Sequence, residues 1–256
     1  MKAVRVENLS FSRKNGNTIL NSLSFDVEVG ACVAILGANG SGKTTLLSLM
    51  AGRLAPDSGA VFLGQDQVKD LSGRELALRT ALLPQIERLP FNYKVLDFVL
   101  MGRAPHVPAL SLPKARDEAV ARSALRELGI GSLENRPAGE LSGGEFQLVR
   151  IARCLAQGSP LLLMDEPTSM LDPANAHRVA ASLATLARAG RTIVFTTHDL
   201  DLTAAMADEA IILHNAAILA RGRPDTILTK KVLGEAYGIR FDILQRPVAA
   251  FGKEPS

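Results

Sequence analysis

Gly37-Ala38-Asn39-Gly40-Ser41-Gly42-Lys43-Thr44 decides how the rest of this chain is read. It is a glycine-spaced turn ending in Lys-Thr, the full P-loop pattern, and its flanks carry as much weight as the match itself. Before it, Ala31-Cys32-Val33-Ala34-Ile35-Leu36 is short, apolar throughout and bounded by Gly30 and Gly37, which predicts a strand buried on both faces. After it, Thr44 to Ala51 carries apolar residues at helical spacing and stops at Gly52. A glycine turn between strand and helix lets successive backbone N–H groups wrap an anion, and the helix N-terminus adds favourable dipole. In that cradle Lys43 would reach the β- and γ-phosphates and the Thr44 hydroxyl would ligate Mg2+. A glycine-rich turn with no ligand is the competing reading, and the flanks count against it.

Working outward, the segment before the loop alternates in strand fashion at Val4, Val6, Leu9 and Phe11, and again from Ile19 to Val29. The turn residues Asn15-Gly16-Asn17 lie between, which predicts an antiparallel hairpin region. Residues 60–83 read as short strands, Ala60-Val61-Phe62-Leu63 and Thr80-Ala81-Leu82-Leu83, closed by Pro84. From about 90 to 157 the pattern is helical: Val95 to Met101, Pro113 to Leu128 with Gly129 as C-terminal cap, and Glu145 to Ala156. Apolar strands return at Leu161 to Met164 and Thr192 to Thr196, separated by a helix from Ala174 to Ala189. Strands alternating with helices predict an α/β fold with a parallel sheet, into which the helical block is inserted.

Bulk properties set limits. The 256 residues suffice for one sizeable α/β domain, and 47% hydrophobic with 21% charged residues is ordinary for a folded protein. The net charge of +3 is scattered, and the densest basic cluster (Arg221, Arg223, Lys230, Lys231) reads as a solvated face, so no nucleic-acid partner is expected. Cys32 and Cys154 cannot form a framework and are expected as reduced core residues of a cytosolic protein. No signal-peptide core and no apolar run of membrane-spanning length is present, so service to a membrane would pass through a partner.

Three further stretches carry chemistry. Leu161-Leu162-Leu163-Met164-Asp165-Glu166 delivers two carboxylates at the C-terminal end of a buried strand, where open α/β sheets bind ligands. Asp165 would hold Mg2+, and Glu166 would polarise the attacking water as general base. Read alone, Asp-Glu-Pro also suits a solvated strand end. His198 follows the strand Thr192 to Thr197 at the same sheet edge, within reach of a γ-phosphate and its water; a lone His at a strand end is more often a surface residue. Gln85, after the strand ending at Leu83, has a neutral amide that could reach Mg2+ and water, and its sequence evidence is evenly balanced. Leu141-Ser142-Gly143-Gly144-Glu145 by itself is an ordinary helix start with Ser142 as N-cap.

In order and spacing, the P-loop, Gln85, Leu141 to Glu145, Asp165-Glu166, Ser169-Met170-Leu171-Asp172 and His198 together resemble the ATP-binding-cassette ATPases, from about Val4 to about Tyr237. The resemblance implies an α/β P-loop NTPase (RecA-like) parallel-sheet core with an N-terminal antiparallel β subdomain and a helical subdomain inserted at about 90–157. The cassette would span 1–237, leaving 238–256 as a tail in which Arg240 to Leu244 adds a short strand or packs on the cassette and Phe251 to Ser256 frays. It implies ATP held by Gly37, Asn39, Gly40, Ser41, Gly42, Lys43, Thr44 and Thr45, Mg2+ at Thr44, Gln85 and Asp165, and catalysis by Glu166, His198 and Gln85. It implies a homodimer in which Ser142 and the Gly143 and Gly144 amides of one subunit bind the γ-phosphate on the other's P-loop, with Ser169 to Asp172 carrying the signal between sites.

Two residues depart from the family pattern. Arg13 stands where an aromatic residue usually stacks on adenine, which leaves a guanidinium plane for that role and Phe11 as the nearby aromatic. Phe146 stands where a polar or basic residue is common. Val95 to His106, with Gly102-Arg103-Ala104-Pro105-His106, resembles the branch that energises importers of chelated iron, haem and cobalamin; near relatives serve molybdate or tungstate. A plainer reading has Arg103 and His106 capping a helix C-terminus. The resemblance implies a peripheral subunit on the cytoplasmic face of the inner (cell) membrane, working with two integral membrane permease subunits and, indirectly, a periplasmic or extracellular substrate-binding protein. A soluble cassette ATPase acting on ribosomes or DNA is the alternative of a different class; the single cassette and the lack of heptads speak against it.

Overall fold

Two long antiparallel strands open the chain, β1 (Lys2–Ser12) and β2 (Thr18–Glu28), and each buries alternate residues such as Val4, Val6 and Phe25. In the computed structural model, which describes residues 1–14, 16–87 and 91–240, they join β4 (Ser58–Leu63) and the short β5 (Asp66–Gln67) in an antiparallel sheet ordered β2-β1-β4-β5. The expected strand in 241–244, the frayed end at 251–256 and Asn15 of the first turn lie outside the described residues.

The second sheet is the one the glycine turn belongs to. Strand β3 (Cys32–Leu36) is buried at every position and lies between β9 (Glu209–His214) and β8 (Thr192–Thr196), parallel to both. Beyond β8 come β7 (Leu161–Asp165) and β6 (Thr80–Leu83), also parallel, and β10 (Ala217–Gly222) closes the other edge antiparallel to β9. With a period of two, Cys32, Ala34 and Leu36 enter one core and Val33 and Ile35 the other. The first core is completed by helices, the second by the antiparallel sheet and α1 (Lys43–Met50). Burial on both faces explains the unbroken apolar runs in β3, β7 and β8.

Between β6 and β7 the chain passes through α3 (Val95–Leu100), α4 (Ala115–Glu127) and α5 (Gly143–Gln157), the helical block expected at 90–157. These helices share one core with the sheet: Phe98, Leu125 and Leu148 pack in the same cluster as Leu162 and Phe195. Phe146, on α5, sets its ring 5.8 Å from that of Phe98, which gives the unusual residue a packing role worth about 0.5–1.5 kcal/mol beyond its area. After β7 comes α6 (Pro173–Arg188), capped by Asp172, whose carboxylate accepts from the Asn175 N–H at 3.0 Å.

Two departures from the sequence reading concern helices. Residues 60–83, read as strands, also hold α2 (Gly73–Arg79), started by a Ser72–Glu75 capping box. Between His198 and Tyr237 the sequence reading names no element, yet the chain adds α7 (Leu200–Met206), the β9–β10 hairpin, α8 (Pro224–Ile227) and α9 (Lys230–Tyr237). The basic cluster there is divided between elements, with Arg221 paired to Glu209 and Arg223 to Asp225. Cys32 and Cys154 are buried free thiols, pushed by burial up to about 12 and about 11. Among the described residues no helix is long and apolar enough to cross a membrane.

Arg103 and His106 do cap a helix, but one fifty residues away. Arg103 donates from Nη1 to the Ala156 carbonyl at 2.8 Å and from Nε to Asp117 of α4 at 3.2 Å. The His106 ring Nε2 donates to the Gln157 carbonyl at 2.7 Å. These are the last carbonyls of α5, orphaned by the end of the helix and satisfied here by basic side chains that also suit the negative end of its dipole.

Candidate active site

The P-loop leaves β3 at Gly37 and enters α1 at Lys43, as its flanks predict. Gly37 adopts φ 149°, and a Cβ there would lie 2.5 Å from both the Leu213 carbonyl and the Ser41 hydroxyl, so only glycine lets the loop turn against β9. The Ser41 hydroxyl is buried with no partner among the described residues. Lys43 is 7% exposed and donates from Nζ to the carbonyls of Gly37 at 2.8 Å and Ala38 at 3.2 Å, which stretches it back along the loop. Burial lowers its pKa, while the carboxylates of Glu166 and Asp165 act in the opposite direction.

A cleft of ≈ 330 Å³ brings together Asn39, Gly40, Gly42, Lys43, Thr44 and Thr45 with Gln85, Glu166, Arg13 and Ile19. A neighbouring recess places Gln85 and Thr44 beside Asp165. Asn39 to Thr45, Gln85, Asp165 and Glu166, which come from three stretches of the chain, are thus neighbours along one surface. Gln85 stands two residues beyond the end of β6 at Leu83. Arg13 flanks the cleft from the first turn, whereas Phe11 packs against the core of the antiparallel sheet and is not part of the lining.

The catalytic end is built from two adjacent strands. Asp165 ends β7, is 4% exposed, and accepts from the Thr196 hydroxyl of β8 at 2.6 Å. The same Thr196 oxygen accepts from the Glu166 N–H at 2.9 Å, so one side chain holds both acidic residues. Glu166 has φ 48°, a left-handed conformation that costs a non-glycine residue about 1–2 kcal/mol, and the Thr196 bond offsets part of that. His198 Nδ1 lies 2.9 Å from Glu166 Oε2; an ionised carboxylate only accepts, so the ring nitrogen donates. Thr196 was not singled out by sequence reasoning, because a threonine in an apolar strand reads as a β-former.

Whether Mg2+ suits these residues can be judged from the donor set. No group of three or more His, Cys, Asp and Glu is arranged for a metal among the described residues. Mg2+ prefers one or two carboxylates or other oxygens plus substrate phosphates and water, and Thr44 hydroxyl, Asp165 carboxylate and Gln85 amide supply such hard oxygen donors. The residues fit.

Ser142, Gly143 and Gly144 are not among the residues lining this cleft. Ser142 N-caps α5, with its hydroxyl and backbone N–H both donating to Glu145 at 2.9 Å. The Glu145 carboxyl is held below its ordinary range, first by the Ser142 backbone N–H and then by the Ser142 side chain. Gly144 abuts α6 so closely that a Cβ would lie 2.2 Å from Asn175 Oδ1. Ser169 donates to the Glu166 carbonyl at 2.9 Å, and Met170 beside it is 81% exposed with φ 61°.

Known proteins resemble this chain in sequence and in fold. The family profile described as ABC transporter matches residues 20–169, more than half of the chain. The hemin import ATP-binding protein HmuV of Deinococcus radiodurans is 38% identical over 250 residues, covering 96% of this chain and 94% of that protein. The protein of the same name from Bordetella pertussis is 39% identical, with 95% of each chain covered. Among solved structures, an inward-facing conformation of an ABC transporter assigned to the metal-chelate type superposes with TM-score 0.84 at 37% identity, over 94% of this chain and 90% of that one. A nucleotide-free ATP-binding cassette from an ABC transporter gives TM-score 0.81 at 27% identity, over 91% of this chain and 98% of that one.

Proposed function

The chain belongs to the ABC transporter family, as an ATP-binding ATPase cassette, and from that premise we propose that it powers uptake of a haem-type metal chelate through separate membrane subunits. The observation that carries the reading is the convergence of Lys43, Thr44, Gln85 and Glu166 in one cleft, with Asp165 beside it. The relatives named for hemin import and the metal-chelate transporter support the choice of cargo class. Two copies would form a dimer, apposed on two integral membrane permeases at the cytoplasmic face, with an external binding protein delivering the chelate.

In this reading Lys43 and the loop amides hold the β- and γ-phosphates of ATP, and Arg13 stacks its guanidinium on the base. Thr44, Gln85 and Asp165 would hold Mg2+, which would neutralise phosphate charge when bound. Glu166 accepts the proton of the attacking water, and His198, donating to Glu166 Oε2, keeps that carboxylate aimed and would hydrogen-bond the γ-phosphate. Ser142 and the Gly143 and Gly144 amides stand at a helix N-terminus outside the cleft, which supports their acting on ATP bound by the second copy.

Glu166→Gln tests the assignment in the full chain reconstituted with its permeases. The variant keeps the shape of the site and loses the base, so ATP binding should persist while hydrolysis falls by about 10²–10⁴-fold and a nucleotide-bound dimer accumulates. Hemin uptake by wild-type vesicles, measured against ferric siderophore and cobalamin, then tests the cargo. Near wild-type turnover by the variant would remove Glu166 from its role, and uptake of another chelate in preference to hemin would overturn the cargo.

A further inference from the structure

The first turns of α5 carry a buried polar network that the proposed chemistry does not use. Gln147, 7% exposed, donates from Nε2 to the Pro167 carbonyl at 2.6 Å, next in sequence to Glu166. Arg150, 5% exposed, donates from Nη1 to Gln147 Oε1 at 2.5 Å and from Nη2 to the Pro84 carbonyl, next in sequence to Gln85. Its Nε donates to Glu87 at 3.2 Å, two residues beyond Gln85. Glu87 is gripped a second time by Arg153, whose two terminal nitrogens lie 2.6 and 2.8 Å from its carboxylate and whose guanidinium covers the Phe98 ring at 4.5 Å.

One guanidinium therefore touches the residue before Gln85, the carboxylate after it, and the amide that holds the turn after Glu166, all from the helix that starts at Ser142. Burying a charge in this way is costly unless its donors find partners, and three of them do, two in the loop around Gln85 and one on its own helix. A Leu or Met of similar length would fill the space at less cost, so packing alone does not account for an arginine here.

We propose that Arg150, with Glu87 as its counter-charge, is a positioning residue that sets Gln85 against the Ser142 helix. This rests on the reading of the cleft as an ATPase site. Because Pro84 and Glu87 are both fastened to α5, the Gln85 loop cannot move without moving the helix. Binding of nucleotide at Thr44 and Gln85 is thereby linked to the placement of Ser142, on the surface offered to the second copy. Arg150 touches no reacting atom and acts through Gln85.

That route gives a discriminating test, a double-mutant cycle of Arg150→Gln with Gln85→Ala in the full chain, read as ATPase kcat and KM together with equilibrium ATP binding. Arg150→Gln should lower kcat at least about tenfold while ATP affinity stays within about twofold. In the Gln85→Ala background it should cost nothing further, because the residue it acts through is already gone. Arg150→Lys, which keeps the charge and one contact, should recover part of the rate. Independent, multiplicative losses, or affinity falling in step with kcat, would show a merely structural arginine and overturn the proposal. Should Arg150→Gln fail to fold, Glu87→Gln decides by the same cycle, since Arg150 keeps Pro84 and Gln147 in that variant. Glu166→Gln is run alongside: if it turns over normally, the ATPase reading itself falls, whereas an inactive Glu166→Gln with a multiplicative cycle sinks only the role of Arg150.

Discussion

Thr196→Val removes one hydroxyl and almost nothing else, and the structure sets what that should cost. The hydroxyl donates to Asp165 at 2.6 Å and accepts from the Glu166 N–H at 2.9 Å, in a side chain with no exposed surface. Valine matches the shape, so no cavity forms. A hydrogen bond to a charged group contributes about 1.5–3 kcal/mol, and a buried N–H left without a partner costs about 1–3 kcal/mol. Together the loss is roughly 3–5 kcal/mol, or a fall in Tm on the order of 10 °C for a domain of this size. Thr196→Ser keeps the hydroxyl and gives up a methyl, about 1 kcal/mol, so it should melt close to wild type. Thermal unfolding followed by circular dichroism reads both variants. Catalysis should suffer as well, because Glu166 at φ 48° loses the bond that holds its backbone, and kcat should fall about tenfold or more in Thr196→Val. A Thr196→Val protein melting within about 2 °C of wild type, or a Thr196→Ser protein melting equally low, would refute the view that this hydroxyl organises the acidic pair.

Lys43→Ala should weaken ATP binding at least about tenfold in a calorimetric titration, because the charge over the phosphates is lost; an unchanged affinity would exclude Lys43 from the cradle. Gly144→Ala should separate the start of α5 from α6, since the new methyl meets Asn175 Oδ1 at 2.2 Å; a lowered urea midpoint with the Asn175 contact shifted in a crystal structure checks it. Acid should destabilise the fold in a defined window. Asp117 is held low first by the Lys114 backbone N–H, Glu145 by that of Ser142 and Asp172 by that of Asn175, so their folded pKa values lie below the unfolded ones. Stability from these groups is complete above the ordinary carboxylate range, about pH 4–5, and disappears as pH falls through the folded values. Urea midpoints should therefore hold level from pH 7 to about 5 and drop below about 4, and equal midpoints at pH 7 and 3 would contradict the assignment.

What could be read from sequence and what could not divides by distance along the chain. The P-loop is contiguous, and both its strand and its helix are announced by local patterning, so its place in the fold was legible before any coordinates. The same holds for β7, whose apolar run ends at Asp165-Glu166, and for the helix cap at Ser142. Residues 60–83 read as short strands from the apolar runs at 60–63 and 80–83, and the helix between them is announced only by the Ser72-x-x-Glu75 capping pattern. Thr196 gives no signal at all, since its role depends on β8 lying beside β7 in a particular register, which pairs Asp165 with Thr196. Arg150 and Glu87 stand 63 positions apart and Arg103 and Ala156 stand 53 apart; no local period encodes either pair. The resemblance to the cassette ATPases supplied the grouping of motifs, but the residues that fasten those motifs to each other belong to packing.

The capped end of α5 has a mechanical consequence. Helices ordinarily fray at their last turn, where four carbonyls lack partners. Here Arg103 and His106 tie down the carbonyls of Ala156 and Gln157, and Arg103 is itself braced on Asp117. Fifteen residues at 1.5 Å each make a rod of roughly 22 Å, held at its far end by Arg103 and His106, in the middle by Arg150, and near Ser142 by Gln147 and the contact of Gly144 with Asn175. A helix fastened along its whole length shifts as one body, so a push on the segment holding Arg103 and His106 reaches the loop at Pro84 and the contact with α6 together.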